Sequence, residues 1–287
     1  MLKIKRLLRG VTPPVFYKAS KYLQERRNAS QAFSPVILNA QKFEPKSLAC
    51  FIGQPVISVP ITKVRYPGGI PYNYNYHHFV QYYTDGIDAL IAFYRDHQPD
   101  NIFEKHFLTA PDYYDSKKIE AMKGWFLGVP WLFNQDYEIH KGEKGLGVEH
   151  GNQRYGPVSP EKIELEANRL DNVLKSINEV GFKPHLFDGY PRGYFMLDAG
   201  GGWVFVIREG LHRVAALAHL GYSSIPVQFK PYYPRIIKET DCPEWPMVKK
   251  GYLSNDDALA IFRQYLSDNL NMTTIAAKKE AIEVEQY

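Results

Sequence analysis

The stretch VFVIREGLHRVAALAHLGYSSIPV, residues 204–227, changes its hydrophobic period twice. The apolar run from Trp203 to Ile207 reads as a strand. Leu211, Val214, Ala215, Leu217, Ala218 and Leu220 then fall at helical spacing, Gly221 stands at a C-cap position, and Ile225-Pro226-Val227 opens another strand. The unit is strand, tight turn, helix, strand, and Arg208-Glu209-Gly210-Leu211-His212 occupies the turn. A helix N-terminus exposes unpaired backbone N–H groups and the positive end of its dipole. Gly210 lets a ligand approach that backbone closely, while His212 and Arg213 add donors at the same end.

Phosphate is the anion that suits this turn. Arg213 offers a planar fork to phosphate oxygens, and His212 can donate a hydrogen bond or shuttle a proton. The structural alternative is an Arg213 paired with a surface acid. Upstream, Lys141–Ser159 contains five glycines and almost no periodic apolar pattern, so it reads as a long loop in which His150, Arg154 and Tyr155 either line the acceptor side of a site or are the polar residues of an ordinary loop. Ser159-Pro160-Glu161 then supplies an N-cap, a proline at the first helical position and an acid in the first turn. Ile163, Ala167, Leu170, Val173, Leu174 and Ile177 form the apolar face through to Gly181, with Glu166 and Arg169 flanking it. Those two can pair on the helix surface, or point from its rim into a cleft.

Composition sets the frame. The chain has 287 residues, 45% hydrophobic and 23% charged, as a globular protein requires. No run approaches the roughly 18 apolar residues that span a bilayer, and the N-terminus lacks a secretory apolar stretch, so a cytoplasmic protein is expected. Cys50 and Cys242 form no CxxC-like pair, which leaves no disulfide framework or thiolate zinc site to expect. A net charge of +4 makes no general case for nucleic acid. Residues 1–27 carry eight Lys/Arg against Glu25, interleaved with Leu2, Ile4, Leu7, Leu8 and Val11. That pattern fits a segment on an anionic membrane surface at the inner face, or a solvated helix packed on the domain; Pro13-Pro14 cuts it short.

The middle of the chain is less specific. Val56–Val59 and Ile61–Val64 read as strands, and a helix is expected from Asp85-Gly86 with Ile87, Leu90, Ile91 and Tyr94 on one face. Tyr72, Tyr74 and Tyr76 alternate as strand residues do, either as a packed sheet face or as an aromatic platform for a sugar or base. On such a strand His77 and His78 would face opposite ways and share no metal.

EGLHRVAALAHLGYSSIPV, residues 209–227, resembles the ParB/sulfiredoxin superfamily, whose members carry a Gly-x-His-Arg or Gly-x-Arg-Arg turn before a short helix and a Gly-x-x-x-Ile-Pro-Val strand. IELEANRLDNVLKSINEVGFKP, residues 163–184, is similar to that family's preceding helix. The resemblance covers about residues 155–230. It implies a nucleotide-phosphate site at Gly210, Leu211, His212 and Arg213. Sulfiredoxins carry a cysteine where this chain has Leu211, so sulfinic-acid reduction is excluded. No second DNA-reading helix follows residue 230, unlike chromosome-partitioning members. Glu209-Gly210-Leu211-His212-Arg213 is most similar to the free-serine kinases of the superfamily, which implies ATP or another nucleoside triphosphate, Mg2+ and a carboxylate base. Glu209 is then the candidate for metal or acceptor contact, Glu166 for the base with Glu164 its competitor, and His212 for proton transfer.

The expected fold class is α+β: a basic segment 1–27, an N-terminal α/β region 28–140, a ParB/sulfiredoxin-like domain 141–230 and a C-terminal extension 231–287 with a helix from about Ser254. The expected function is nucleotide-dependent phosphotransfer to a small hydroxyl-bearing or sugar acceptor. The MLKIKRLLRGVTPP start resembles openings of bacterial enzymes that modify cell-surface polysaccharides, which implies a glycan. The alternatives are a nucleotide-binding switch without turnover and a DNA-associated, nuclease-like protein. The last would want an acid cluster and a basic groove.

Overall fold

The computed structural model describes residues 37–114, 128–132, 145–185 and 189–270. The basic segment 1–27, and with it the expected membrane contact, lies outside the described residues. Among these residues one seven-stranded mixed sheet forms, from β1 (Ile37–Asn39), β2 (Val56–Pro60), β3 (Val64–Arg65), β4 (Arg192–Leu197), β5 (Trp203–Glu209), β6 (Ser224–Phe229) and β7 (Ile236–Lys238). Their order is β1-β2-β6-β4-β5-β3, with β7 also on β4. β4 is the hub. It runs antiparallel to β5 over its whole length, parallel to β6 at its start (Arg192 opposite Gln228) and parallel to β7 at its end (Phe195 opposite Ile236). Strands from before residue 141 and after residue 230 therefore share a sheet with those between.

Strand alternation divides the core into two. Phe195, Phe205 and Ile207 point to one face, where they meet α2 (His78–Asp85), α3 (Ile87–Asp96), α5 (Pro160–Val180) and α6 (Leu211–His219). Tyr194, Met196, Val204 and Val206 point to the other, toward α4 (Ile102–Lys105), α7 (Pro246–Lys249) and α8 (Asn255–Leu266). With both faces covered, β4 and β5 read as nearly continuous apolar runs, as buried strands do. The remaining helix, α1 (Pro45–Ala49), is one short turn between β1 and β2. No helix among the described residues is long and apolar enough to cross a membrane.

The helix boundaries follow their caps. Ser159 Oγ accepts from Lys162 N at the start of α5, and Gly181, at φ +75°, ends it. Ser254 and Asp257 form a reciprocal capping box on α8. The strand–turn–helix–strand unit is present as β5, α6 and β6, with a topological difference: β6 does not lie beside β5 but on the far side of β4.

Three local expectations are corrected. Ile61–Lys63 is a 3-10 turn, because Pro60 ends the ladder with β6 and Ile61 N turns to Ser223 O; only Val64–Arg65 is extended. Tyr72, Tyr74 and Tyr76 do not share a strand face. Pro71 and Asn73 set turns there, with Asn73 N bonding Pro71 O and His77 N bonding Asn73 O. Tyr72 is buried and Tyr74 is exposed, its hydroxyl donating to Asp85, so no aromatic platform forms. His77 and His78 stand at the N-terminus of α2, where His77 Nδ1 accepts from Phe79 N. Both are fully buried, and their rings stack at 5.1 Å instead of parting to opposite faces.

Candidate functional site

β5 delivers Glu209 to the edge of the turn, and Gly210 caps α6 in the left-handed region at φ +85°. A Cβ there would lie 2.9 Å from an Arg213 nitrogen and 3.1 Å from Pro191 Cα, so both conformation and space call for glycine. Leu211 turns inward and is buried in the core. His212 and Arg213 follow on the first turn of α6. Arg213 Nη1 donates to the Gly189 carbonyl, which ties the helix start to the loop before β4.

The second part of the site comes from α5. Glu166 has no exposed side-chain surface and bonds three groups: Oε1 accepts from Lys162 Nζ at 2.8 Å and from Arg169 Nη1 at 2.6 Å, and Oε2 meets His212 Nε2 at 2.5 Å. Lys162 is as buried as Glu166. The i, i+4 and i, i+3 spacings put both bases on the glutamate's side of the helix. Burial by itself would push the Glu166 carboxyl up, but the hydrogen bond and charge of His212, backed by Lys162, hold it down at about 2. The carboxyl is therefore ionised at neutral pH, so the proton between it and His212 sits on Nε2. In the neutral ring, Nδ1 then presents its lone pair. Nδ1 has no hydrogen-bond partner among the described residues. The ring is fixed from the other side by Phe79, stacked at 4.7 Å and 19°.

A cleft of about 420 Å3 opens over this turn. Arg208 to Arg213 form one wall, Arg169, Asn172 and Val173 of α5 another, and Gln153 of the glycine-rich loop reaches in. Glu209 lies at its rim with each oxygen paired, Oε1 to Lys230 Nζ and Oε2 to Arg192 Nη1 at 3.3 Å. Partial burial would raise its carboxyl, and the two bases outweigh that and lower it.

The turn residues Glu209, Gly210, Leu211, His212 and Arg213 thus stand together, and Glu166 reaches them through His212. Glu164 is exposed on the far side of α5. His150 sits at the start of α5, its Nδ1 2.8 Å from Ser159 Oγ, and neither it nor Arg154 nor Tyr155 is among the described residues lining the cleft. Glu209 does not fit a protein-held Mg2+: both its oxygens already face cations, and no three His, Cys, Asp or Glu side chains gather as a metal set among the described residues. Sequence reading missed Lys162, Phe79, Arg192 and Lys230. For Lys162 the i, i+4 spacing to Glu166 was a usable signal; Phe79 and Lys230 are brought in only by tertiary packing.

Comparison with family models, curated proteins and solved structures finds no match to this chain.

Proposed function

We propose that the cleft binds the phosphates of a nucleoside triphosphate and that the chain transfers the terminal phosphoryl group to a small hydroxyl-bearing or sugar acceptor. One observation carries this reading: Arg169, Arg208 and Arg213 converge on the cleft together with the N-terminus of α6 at Gly210. The oxygens of a triphosphate match guanidinium forks and the N–H groups of α6. The likeness of Gly210, His212 and Arg213 to the ParB/sulfiredoxin turn supports the same ligand. The cleft volume lies within the roughly 300–1,000 Å3 of small-molecule sites.

In this reading His212 is the base. Glu166 holds Nε2–H, and Nδ1 takes the proton of the acceptor hydroxyl as its oxygen attacks the γ-phosphorus. The bond to the β,γ-bridging oxygen breaks, and the nucleoside diphosphate leaves with that electron pair. Mg2+ belongs to the nucleotide, as part of the substrate. The basic N-terminal segment favours an acceptor of the cell-surface glycan class. A second reading, a nucleotide-binding switch without turnover, draws support from the pairing of both carboxylates at the cleft with cations.

Calorimetric titration with ATP, CTP and GTP, with and without Mg2+, tests the ligand. Release of diphosphate in the presence of hydroxylated sugar and amino-acid pools tests turnover. Binding without release selects the switch. No binding of any triphosphate refutes both.

A further inference from the structure

The glycine-rich loop before α5 takes no part in the chemistry above, yet the fold pins it at one residue. Asn152 and Tyr155 pair across a tight turn, Asn152 Oδ1 accepts from Arg154 N at 2.8 Å, and Gln153 stands at the tip. The Gln153 carbonyl accepts from two buried tyrosines of separate parts of the chain, Tyr66 at 2.7 Å and Tyr94 of α3 at 3.1 Å. Gly156 N then donates to the His97 carbonyl at 2.8 Å, and Gly156 lies so close to the Tyr94 carbonyl that a Cβ has no room. Of the described residues of this loop, Gln153 alone lines the cleft. Its carboxamide makes no hydrogen bond to a described residue.

Packing delivers Gln153 on the side of the base. Tyr66, which holds the Gln153 carbonyl, meets Phe79 edge-on at 5.9 Å, and Phe79 stacks on the His212 ring at 4.7 Å. Arg213, by contrast, is tied to Gly189 in the loop before β4. A carboxamide is neutral and carries both an acceptor and donors, so Oε1 can accept from one hydroxyl while Nε2 donates to its neighbour. An amino-acid acceptor would ask instead for a carboxylate to hold its ammonium group. Glu166 and Glu209, the carboxylates at this cleft, are both already paired with bases.

We propose that Gln153 binds the acceptor through two adjoining hydroxyls, which makes the acceptor a neutral sugar or polyol, and that Tyr66 and Tyr94 are its positioning residues. The inference rests on the phosphotransfer reading and narrows its acceptor.

The test has two arms on the full chain. Saturation-transfer NMR without nucleotide, with D-glucose, N-acetylglucosamine, xylitol and L-serine as probes, reads acceptor binding alone. At least one neutral probe should show transfer, serine should show none, and Gln153→Ala should abolish the signal. Diphosphate release from MgATP reads turnover. Gln153→Ala should raise the KM for the bound probe roughly tenfold, the effect of losing hydrogen bonds to neutral hydroxyls, and leave the KM for ATP unchanged. Tyr66→Phe/Tyr94→Phe should do the same by releasing the turn, and Gln153→Ala in that background should add little. A merely structural role would raise both KM values together. Should the double variant fail to fold, Tyr94→Phe, which removes the longer bond, serves with a smaller shift. Silence from all three neutral probes, transfer to serine alone, equal signals from wild type and Gln153→Ala, or a KM shift confined to ATP overturns the proposal. Binding of a neutral probe that Gln153→Ala abolishes, with no diphosphate release from any mixture, would refute phosphotransfer and leave Gln153 as the hydroxyl-binding residue.

Discussion

Glu166→Gln removes one negative charge from a site where Lys162 is buried beside it. In the wild type the carboxyl titrates at about 2 against an ordinary 4.5, a difference worth about 3 kcal/mol of stability. Breaking a buried ion pair from one side costs about 3–5 kcal/mol, in agreement. The variant should therefore melt roughly 6–12 °C lower at pH 7, taking 2–4 °C per kcal/mol for a domain of this size. The sign with pH follows from the depressed pKa. The stabilisation is complete above pH 4.5 and is lost as pH falls through about 2, so the gap between wild type and variant should close in that window. Lys162→Met/Glu166→Gln should recover most of the loss, because no buried charge is left alone. The amide also changes His212: with its oxygen drawn to Lys162 and Arg169, its NH2 faces Nε2 and drives the ring proton to Nδ1. Phosphoryl transfer should then fall by about 10² or more while nucleotide affinity stays nearly unchanged. Urea unfolding from pH 2 to 7 together with diphosphate release measures both. A Glu166→Gln protein within about 1 kcal/mol of wild type at pH 7 would refute the picture of a carboxylate compensating buried charge.

Arg213→Ala should weaken nucleotide binding roughly ten- to hundredfold, the effect of losing one charged phosphate contact, and calorimetry showing wild-type affinity would remove Arg213 from the phosphate site. Gly210→Ala should destabilise the protein by more than about 1 kcal/mol, because alanine meets both a positive φ and the Pro191 backbone; an unchanged denaturation midpoint would contradict that geometry. Burial, with the charge of His212 in support, lowers His77 to about 3, so from pH 6.5 down to 3 the unfolded chain takes up a proton that the folded one refuses. His77→Asn, which keeps a capping acceptor, should flatten the fall in stability over that range, and a pH profile parallel to wild type would exclude His77 from acid unfolding. Deleting residues 2–12 should abolish sedimentation with anionic liposomes and leave the circular dichroism melt intact; equal sedimentation of both forms would count against a membrane role for that segment.

Local chemistry made parts of this molecule readable in advance. Ser159-Pro160 and Gly181 mark both ends of α5 because caps act through neighbouring backbone, and the change of period at Glu209-Gly210 marks the start of α6 for the same reason. Helical periodicity left burial undecided where it was not apolar. It allowed Glu166 either to pair on the helix surface or to point into a cleft, and it did not single out Lys162, since the partner that holds Glu166 inward, His212, is 46 residues away. The alternation of Tyr72, Tyr74 and Tyr76 imitated a strand because tyrosine is a residue that strands favour, whereas Pro71 and Asn73 set a turning backbone there. Sheet order was not legible. Nothing in the sequence of β6 distinguishes pairing with β5 from pairing beyond β4, because both sites bury the same alternate residues.

The register between β2 and β6 sets a timetable for a growing chain. Ile57 finds its partner in Val227, so a strand completed early must wait for about 170 further residues before its inner edge is covered. At roughly 5–20 residues per second that interval is about 10–30 s on a ribosome. During it β2, with Val56, Ile57 and Val59 destined for the core, presents an open apolar edge with only the three residues of β1 beside it. Nascent chains of this protein should therefore be clients of chaperones that hold exposed strands, and truncations ending before Ser224 should aggregate rather than form a smaller folded unit.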